Sequence, residues 1–126
     1  MWNKKSAVAH LDAHAKAHSL GRCAQYVRQA IEAGGVKLQR HISAKDYGAS
    51  LTTTGFVKII SEHADASYHH LAGDVAIIQP IPGHPDGHMT MFDGKHWVSD
   101  FVQMHGVYPG ASYRLAKPAY AIYRYY

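Results

Sequence analysis

The sequence contains one cysteine, Cys23, and it lies where a helix is expected to begin. Gly21 precedes it, and apolar residues then recur at helical spacing until Gly34 and Gly35 end the pattern. A thiol in the first turn of a helix is close to the positive end of the helix dipole and to unpaired backbone N–H groups, which favour the thiolate. Because the thiolate is the nucleophilic form, this position predicts a reactive cysteine, with a buried structural cysteine as the alternative.

A nucleophilic cysteine needs an imidazole that carries its proton and a polar group that orients the imidazole. His88 is the best candidate for the imidazole, because it opens a predicted strand directly after a loop rich in glycine and proline. His84 lies inside that loop and His96 follows the next turn, so both are weaker candidates. The ring of His88 is therefore expected to face the edge of a cleft.

The orienting group should lie on the neighbouring strand, and Asp100 stands twelve residues after His88. Side chains alternate between the two faces of a sheet, so the length of the turn decides which residue shares a face with His88. A three-residue loop over residues 92–94, with Gly94 in a G1 bulge, would place Asp100 beside His88. The sequence therefore predicts this bulged turn and a constellation of Cys23, His88 and Asp100.

The elements that must position these residues follow an α+β order. Helical periodicity is present at residues 5–18 and 23–33, and a short capped helix is expected near residues 43–51. Runs rich in β-branched and aromatic residues predict strands at residues 56–60, 75–78, 88–92, 96–101 and 120–126. We expect N-terminal helices packed on an antiparallel β-sheet, in a single domain that covers residues 1–126.

Composition limits the classes of function. The 126 residues are 47% hydrophobic and 17% charged, which is typical of a folded domain. The formal net charge of +4 suits an anionic partner, but the lysines and arginines are scattered, which argues against a nucleic-acid face. No stretch approaches the roughly 20 apolar residues of a membrane span, and the N-terminal residues do not resemble a signal peptide. One cysteine excludes an internal disulfide.

The eleven histidines leave a metal-binding alternative open. Residues His10, His14 and His18 recur at intervals of four, which places them on one stripe of the first predicted helix. A second possible ligand set is His84, Asp86 and His88. Neither set accounts for the spacing of the predicted constellation, so no metal or other cofactor is expected.

The same residues resemble a known group of enzymes. The cysteine at a helix start is followed by Gly-Asp-Val-Ala-Ile-Ile at 73–78 and by Gly-His-Met-Thr-Met-Phe-Asp-Gly at 87–94. With a polar residue twelve positions after the histidine, this order and spacing are similar to those of the NlpC-type and CHAP cell-wall peptidases. The resemblance implies a papain-like fold and hydrolysis of amide bonds in peptidoglycan, with Cys23 as nucleophile, His88 as base and Asp100 as third polar residue.

On this resemblance, the Cys23 thiolate would attack the amide carbonyl and His88 would protonate the leaving amine. The backbone N–H of Cys23 and a donor from Ser19 or His18 would hold the oxyanion. The aromatic side chains expected to line the substrate groove are Tyr26, Tyr47, Trp97 and Tyr108.

The absence of a recognisable export signal or wall-binding module suggests that other machinery delivers the enzyme. In this respect the chain resembles small amidase effectors of type VI secretion systems, which are made in the cytoplasm and act in the periplasm of a target bacterium. The resemblance implies a cognate immunity protein as a partner, beside the peptidoglycan peptide. A phage lysin of the same chemistry and a non-catalytic module with a papain-like shape are the alternatives.

Overall fold

A computed structural model describes residues 2–60 and 68–126. Its helices are α1 (Lys4–His14), α2 (Cys23–Ala33), α3 (Gly48–Thr53) and α4 (Ala111–Ala116), with a 3-10 turn at Ala44–Asp46. Its strands are β1 (Phe56–Ile60), β2 (Val75–Ile78), β3 (His88–Phe92), β4 (Trp97–Val98), β5 (Val102–Gln103) and β6 (Tyr120–Tyr125). No helix in these two ranges has the length and apolar character needed to cross a bilayer.

The described strands form one sheet in the order β1-β6-β2-β3-β4-β5, and every neighbouring pair is antiparallel. The C-terminal strand β6 therefore lies between β1 and β2, far from its position in the sequence. The predicted α+β layout, with helices on an antiparallel sheet, is confirmed.

The two faces of the sheet bury different side chains. One face, represented by Val75, Ile77 and Met89, packs against α1 and α2 through a cluster that includes Leu11 and Val27. The other face carries a second cluster, made of Ala76, Ile78, Ile81, Trp97, Tyr113, Tyr120 and Ile122. Strand β2 is buried on both faces, as its continuous apolar run predicts. Helix α2 is therefore held against the sheet next to β3, the strand that begins at His88.

The turn between β3 and β4 differs from the sequence prediction. Phe92 pairs with Trp97, so residues 93–96 form a four-residue connection, and the predicted three-residue bulged loop is wrong. The carboxylate of Asp93 explains the longer loop, because Oδ1 accepts hydrogen bonds from the two backbone N–H groups that end it, at 2.8 and 2.6 Å. The added residue changes which downstream side chains share a face with His88.

Candidate active site

Cys23 is the first helical residue of α2, as the sequence predicts. It is partly exposed and lines a cavity of about 410 Å³ together with His88. No side-chain cap is present at the start of this helix, where Arg22 occupies the N-cap position. The loop before the helix passes through Gly21, whose φ of +70° is an ordinary value only for glycine. The chain thus makes a sharp entry into α2 and presents the thiol at the cavity wall.

Asp100 holds this entry loop in place. Its side chain is completely buried, and Oδ2 accepts hydrogen bonds from the backbone N–H groups of Leu20 at 2.7 Å and Arg22 at 2.9 Å. Its own carbonyl accepts a further bond from the backbone N–H of Lys16, at 2.8 Å. Asp100 therefore supplies the acceptor for the loop that enters α2, and it fixes the backbone next to Cys23.

His88 begins β3 and is almost fully buried, with 6% of its surface exposed. The residue before it, Gly87, has a φ of +71°, and a Cβ at that position would collide with the Ile78 carbonyl oxygen. Glycine is therefore required where β3 turns in beside β2. This close approach explains why the Gly-His pair of the sequence places an imidazole at the wall of the cavity.

Gln103 orients the imidazole of His88. The two side chains are joined by a hydrogen bond of 2.9 Å between His88 Nε2 and Gln103 Oε1. The amide group of Gln103 cannot be reversed, because its Nε2 donates to the carbonyls of Gly106 and Val107 at 3.0 and 2.9 Å. His88 Nε2 must therefore carry the proton, which leaves Nδ1 with a free lone pair that can accept one.

Gln103, and not Asp100, thus occupies the position that the sequence analysis assigned to the orienting residue. Residues 99–101 form a tight hairpin, and Asp100 lies in this turn, outside the strand pairing. Gln103 pairs with Trp97, and Trp97 pairs with Phe92, which shares a face of β3 with His88. The adjacent turn formers Ser99 and Asp100 were the signal that could have indicated this second turn.

Burial dominates the electrostatics of the two reactive groups. It raises the pKa of the Cys23 thiol to about 11. Hydrogen bonds from backbone N–H groups, including that of Met89, act to lower this pKa, whereas the charge of Asp100 raises it further. Burial also lowers the pKa of His88 to about 4, although Gln103 and Asp100 both favour the protonated ring. In the free protein, desolvation of Cys23 thus opposes the thiolate that the helix N-terminus favours, and the reactive thiolate stays a prediction. Both groups are neutral near pH 7.

Comparison with solved structures identifies the family of this chain. One match is a chain of the crystal structure of the type VI native effector–immunity complex Tae3–Tai3 from Ralstonia pickettii. It is 50% identical, with a TM-score of 0.89, over 99% of this chain and 100% of the matched chain. The chain belongs to the Tae3 family of type VI effectors.

A second structure, of the selenomethionine form of the same complex, agrees with this assignment. The identity is 53% and the TM-score 0.86, over 94% of this chain and 99% of the matched one. No protein-family model and no curated protein matches the chain. The resemblance to type VI effectors found in the sequence is therefore confirmed at the level of the Tae3 family.

The two residues considered as oxyanion donors lie in different surroundings in this Tae3-family chain. Ser19 lines the cavity beside Cys23, and its hydroxyl oxygen accepts a hydrogen bond from the backbone N–H of Gly21 at 3.3 Å. His18 is exposed and is not among the residues that line the cavity. Geometry therefore favours Ser19 as the side chain that could face a reacting carbonyl.

The aromatic residues predicted to line the groove have mainly structural contacts. Trp97 is buried in the apolar cluster on the α4 side of the sheet, and the Tyr108 hydroxyl donates to the Pro118 carbonyl at 2.6 Å. Tyr26 packs partly buried against the cluster between α2 and the sheet. Tyr47 is the exception, because it lines a second cavity while its hydroxyl bonds to the backbone of His41. The aromatic residues that do line the main cavity are Phe101 and Tyr113.

The histidine stripe of α1 forms a stacked pair. The rings of His10 and His14 lie 4.0 Å apart, and Nδ1 of His14 is hydrogen-bonded to the His10 carbonyl at 2.7 Å. His18 lies beyond the end of the helix. Across residues 2–60 and 68–126, no three side chains of histidine, cysteine, aspartate or glutamate are grouped closely enough to hold a metal ion.

The second cavity lies on the other side of Cys23 and has a volume of about 290 Å³. It shares Gly21, Cys23 and Asp86 with the main cavity, so the cysteine lies where the two meet. The space next to the thiol therefore extends into both cavities.

Proposed function

We propose that this protein is a single-domain thiol amidase, with papain-like architecture and chemistry, that cleaves amide bonds in the peptide stems of peptidoglycan. The observation that carries the proposal is that Cys23 and His88 line the same cavity, with the tautomer of His88 fixed by Gln103. The thiol stands at a helix start in the same cavity as an imidazole whose Nε2 is held by Gln103. A fixed tautomer with a free Nδ1 is what a base acting on a neighbouring thiol requires. Membership of the Tae3 effector family supports an action against bacterial cells.

The reaction starts from two neutral groups. The Cys23 sulfur attacks the carbonyl carbon of the amide while its proton passes to Nδ1 of His88, which gives a tetrahedral intermediate and an imidazolium. Gln103 Oε1 and the negative charge of Asp100 stabilise this imidazolium, because both raise the pKa of His88. The imidazolium then protonates the leaving amine, the C–N bond breaks, and a thioester remains on Cys23. Water, deprotonated by His88, hydrolyses the thioester and releases the acid.

The oxyanion of each tetrahedral intermediate would be held by the backbone N–H of Cys23 and by the hydroxyl of Ser19. Backbone N–H groups in the first turn of a helix have no intrahelical partner and point towards the terminus. Asp100 is a positioning residue in this scheme, since it fixes the backbone at Leu20 and Arg22 rather than touching the substrate. The third polar residue next to His88 is Gln103.

We further propose that the protein is an antibacterial effector, delivered into the periplasm of a target bacterium and bound by a cognate immunity protein. The support is the pair of effector–immunity complexes in which its relatives were solved. We expect that binding of the immunity protein abolishes cleavage of peptidoglycan. Activity that persists at saturating immunity protein would contradict inhibition.

Digestion of purified peptidoglycan tests the enzymatic proposal. Wild type and the Cys23→Ala variant are incubated with the same sacculi, and the soluble fragments are weighed by mass spectrometry. We expect fragments from the wild type alone, and their masses identify the bond. Circular dichroism establishes that the variant is folded. Equal release by wild type and Cys23→Ala would overturn the thiol mechanism, and no release by either would overturn the proposed function.

A further inference from the structure

The second cavity beside Cys23 differs from the main cavity in its charge. Its lining includes Arg22, Arg28 and Arg40, against a single carboxylate, Asp86. The lining of the main cavity has no lysine or arginine and consists largely of glycine, proline and aromatic residues. Positive charge is therefore concentrated on one side of the nucleophile, where it can attract an anionic group of a bound peptide.

We propose that this arginine-lined cavity is a subsite for a free carboxylate of the substrate, so that the protein prefers acidic peptides over their amidated counterparts. The inference rests on the proposed amidase function and deepens it by naming a chemical feature of the substrate. Carboxylates are the natural partners of arginine, because the planar guanidinium donates two parallel hydrogen bonds to the two oxygens. The stem peptides of peptidoglycan carry such free carboxylates.

Arg28 is the residue that most clearly points to a ligand. Its side chain is only 8% exposed, yet it lies on the wall of the cavity. Its Nη1 donates to Glu32 at 3.0 Å, and a guanidinium has five N–H donors, so further donors can serve a ligand. The ion pair with Glu32 holds the guanidinium at the cavity wall, so a donor that Glu32 does not use can be offered to a carboxylate of the substrate.

Helix spacing gives the approximate separation of Cys23 and Arg28 along α2. Arg28 follows Cys23 by five positions in α2, which is a rise of about 7.5 Å along the helix. An extended peptide covers this distance with about two residues. Asp86 lies at the junction of the two cavities, where its charge repels a second carboxylate held close to Cys23. The expected anionic group is therefore on a residue within about two positions of the scissile amide.

A pair of synthetic stem peptides tests the inference. The two peptides have the same sequence and differ at one position near the scissile bond, where one carries a free carboxylate and the other a carboxamide. We expect wild type to cleave the acid with a kcat/KM at least about tenfold higher than for the amide, because the loss of one hydrogen bond to a charged group weakens an interaction by about this factor. Arg22→Gln and Arg40→Gln should each reduce this preference, mainly by raising KM for the acid.

Lys95→Gln is the matched control, because it removes the same charge from the exposed loop between β3 and β4, outside both cavities. Its preference for the acid should equal that of wild type. Arg28→Lys keeps the charge but not the paired donors, and it should also weaken the preference. Equal kcat/KM for acid and amide in wild type, or an equal loss in Lys95→Gln, would overturn the carboxylate subsite.

A binding experiment tests the carboxylate subsite independently of the proposed amidase activity. Cys23→Ala is titrated with the two peptides by calorimetry, so that no turnover is needed. Tighter binding of the acid, without cleavage by wild type, would support the subsite and overturn the amidase. Cleavage of both peptides by wild type, with equal binding by Cys23→Ala, would overturn the subsite and leave the amidase standing.

Discussion

The hydrogen bond between His88 and Gln103 leads us to predict that the variant Gln103→Leu has a lower kcat. Leucine has a similar volume but no polar atoms, so the buried Nε2–H of His88 loses its acceptor. An unsatisfied buried donor costs about 1–3 kcal/mol, and the ring is then free to rotate or to move its proton to Nδ1. Because about 1.4 kcal/mol corresponds to one factor of ten in rate, we expect kcat to fall about 10- to 100-fold.

The assay is the release of soluble fragments from peptidoglycan at saturating substrate, measured across a range of pH. Gln103 raises the pKa of His88, so its loss should also move the acid limb of the pH profile to lower pH. The substitution also removes the donor for the carbonyls of Gly106 and Val107, so the folded fraction is measured in parallel by thermal unfolding. A folded variant with kcat within about twofold of wild type would refute the orienting role.

Thr90→Val is the matched control for this experiment. Thr90 lies two residues after His88 on the same face of β3, and it is completely buried. Its hydroxyl has no hydrogen-bond partner among the described residues. The substitution removes a polar group at nearly constant volume, so kcat should be unchanged and the melting temperature unchanged or higher. A loss of activity equal to that of Gln103→Leu would mean that any polar change on this face disturbs the site.

Three further predictions concern the positioning carboxylate and the titrating groups. Asp100→Ala leaves two backbone N–H groups before Cys23 without an acceptor, and urea unfolding should show a loss of about 2–4 kcal/mol together with a lower kcat. Burial lowers the pKa of His88 from 6.5 to about 4, so the unfolded chain takes up a proton at a higher pH than the folded protein does. The free energy of unfolding should therefore be highest above pH 6.5 and should fall by roughly 3 kcal/mol as pH falls towards 4. A stability that is flat over this range would contradict the neutral buried ring. Burial and the neighbouring Asp93 raise the pKa of Asp12 to about 6, so the stability of the fold should decline as pH rises through about 6. The variant Asp12→Asn should therefore have a higher melting temperature than wild type above that pH, but not near pH 4.

The local part of the site could be predicted from the sequence. Cys23 at a helix start and His88 at a strand start depend on patterns of glycine and apolar residues within about ten neighbours, and both positions are observed. The α+β class follows from the same short-range periodicities. The orienting residue could not be found in this way, because it depended on the length of two successive turns. An error of one residue at Asp93 moved the whole downstream strand to the other face.

Tertiary structure alone decided the chemistry of the reactive pair. Helix position favours a thiolate, but the packing of α2 against β3 removes water from Cys23 and His88, and this desolvation raises the pKa of the thiol and lowers the pKa of the imidazole. The same packing brought Asp100 to the N-terminus of α2, where it holds the loop before the nucleophile. The sequence determined which residues could react, because propensity and periodicity act over short distances. Burial and pairing between distant segments determined their partners and protonation, because both arise only when the chain is folded.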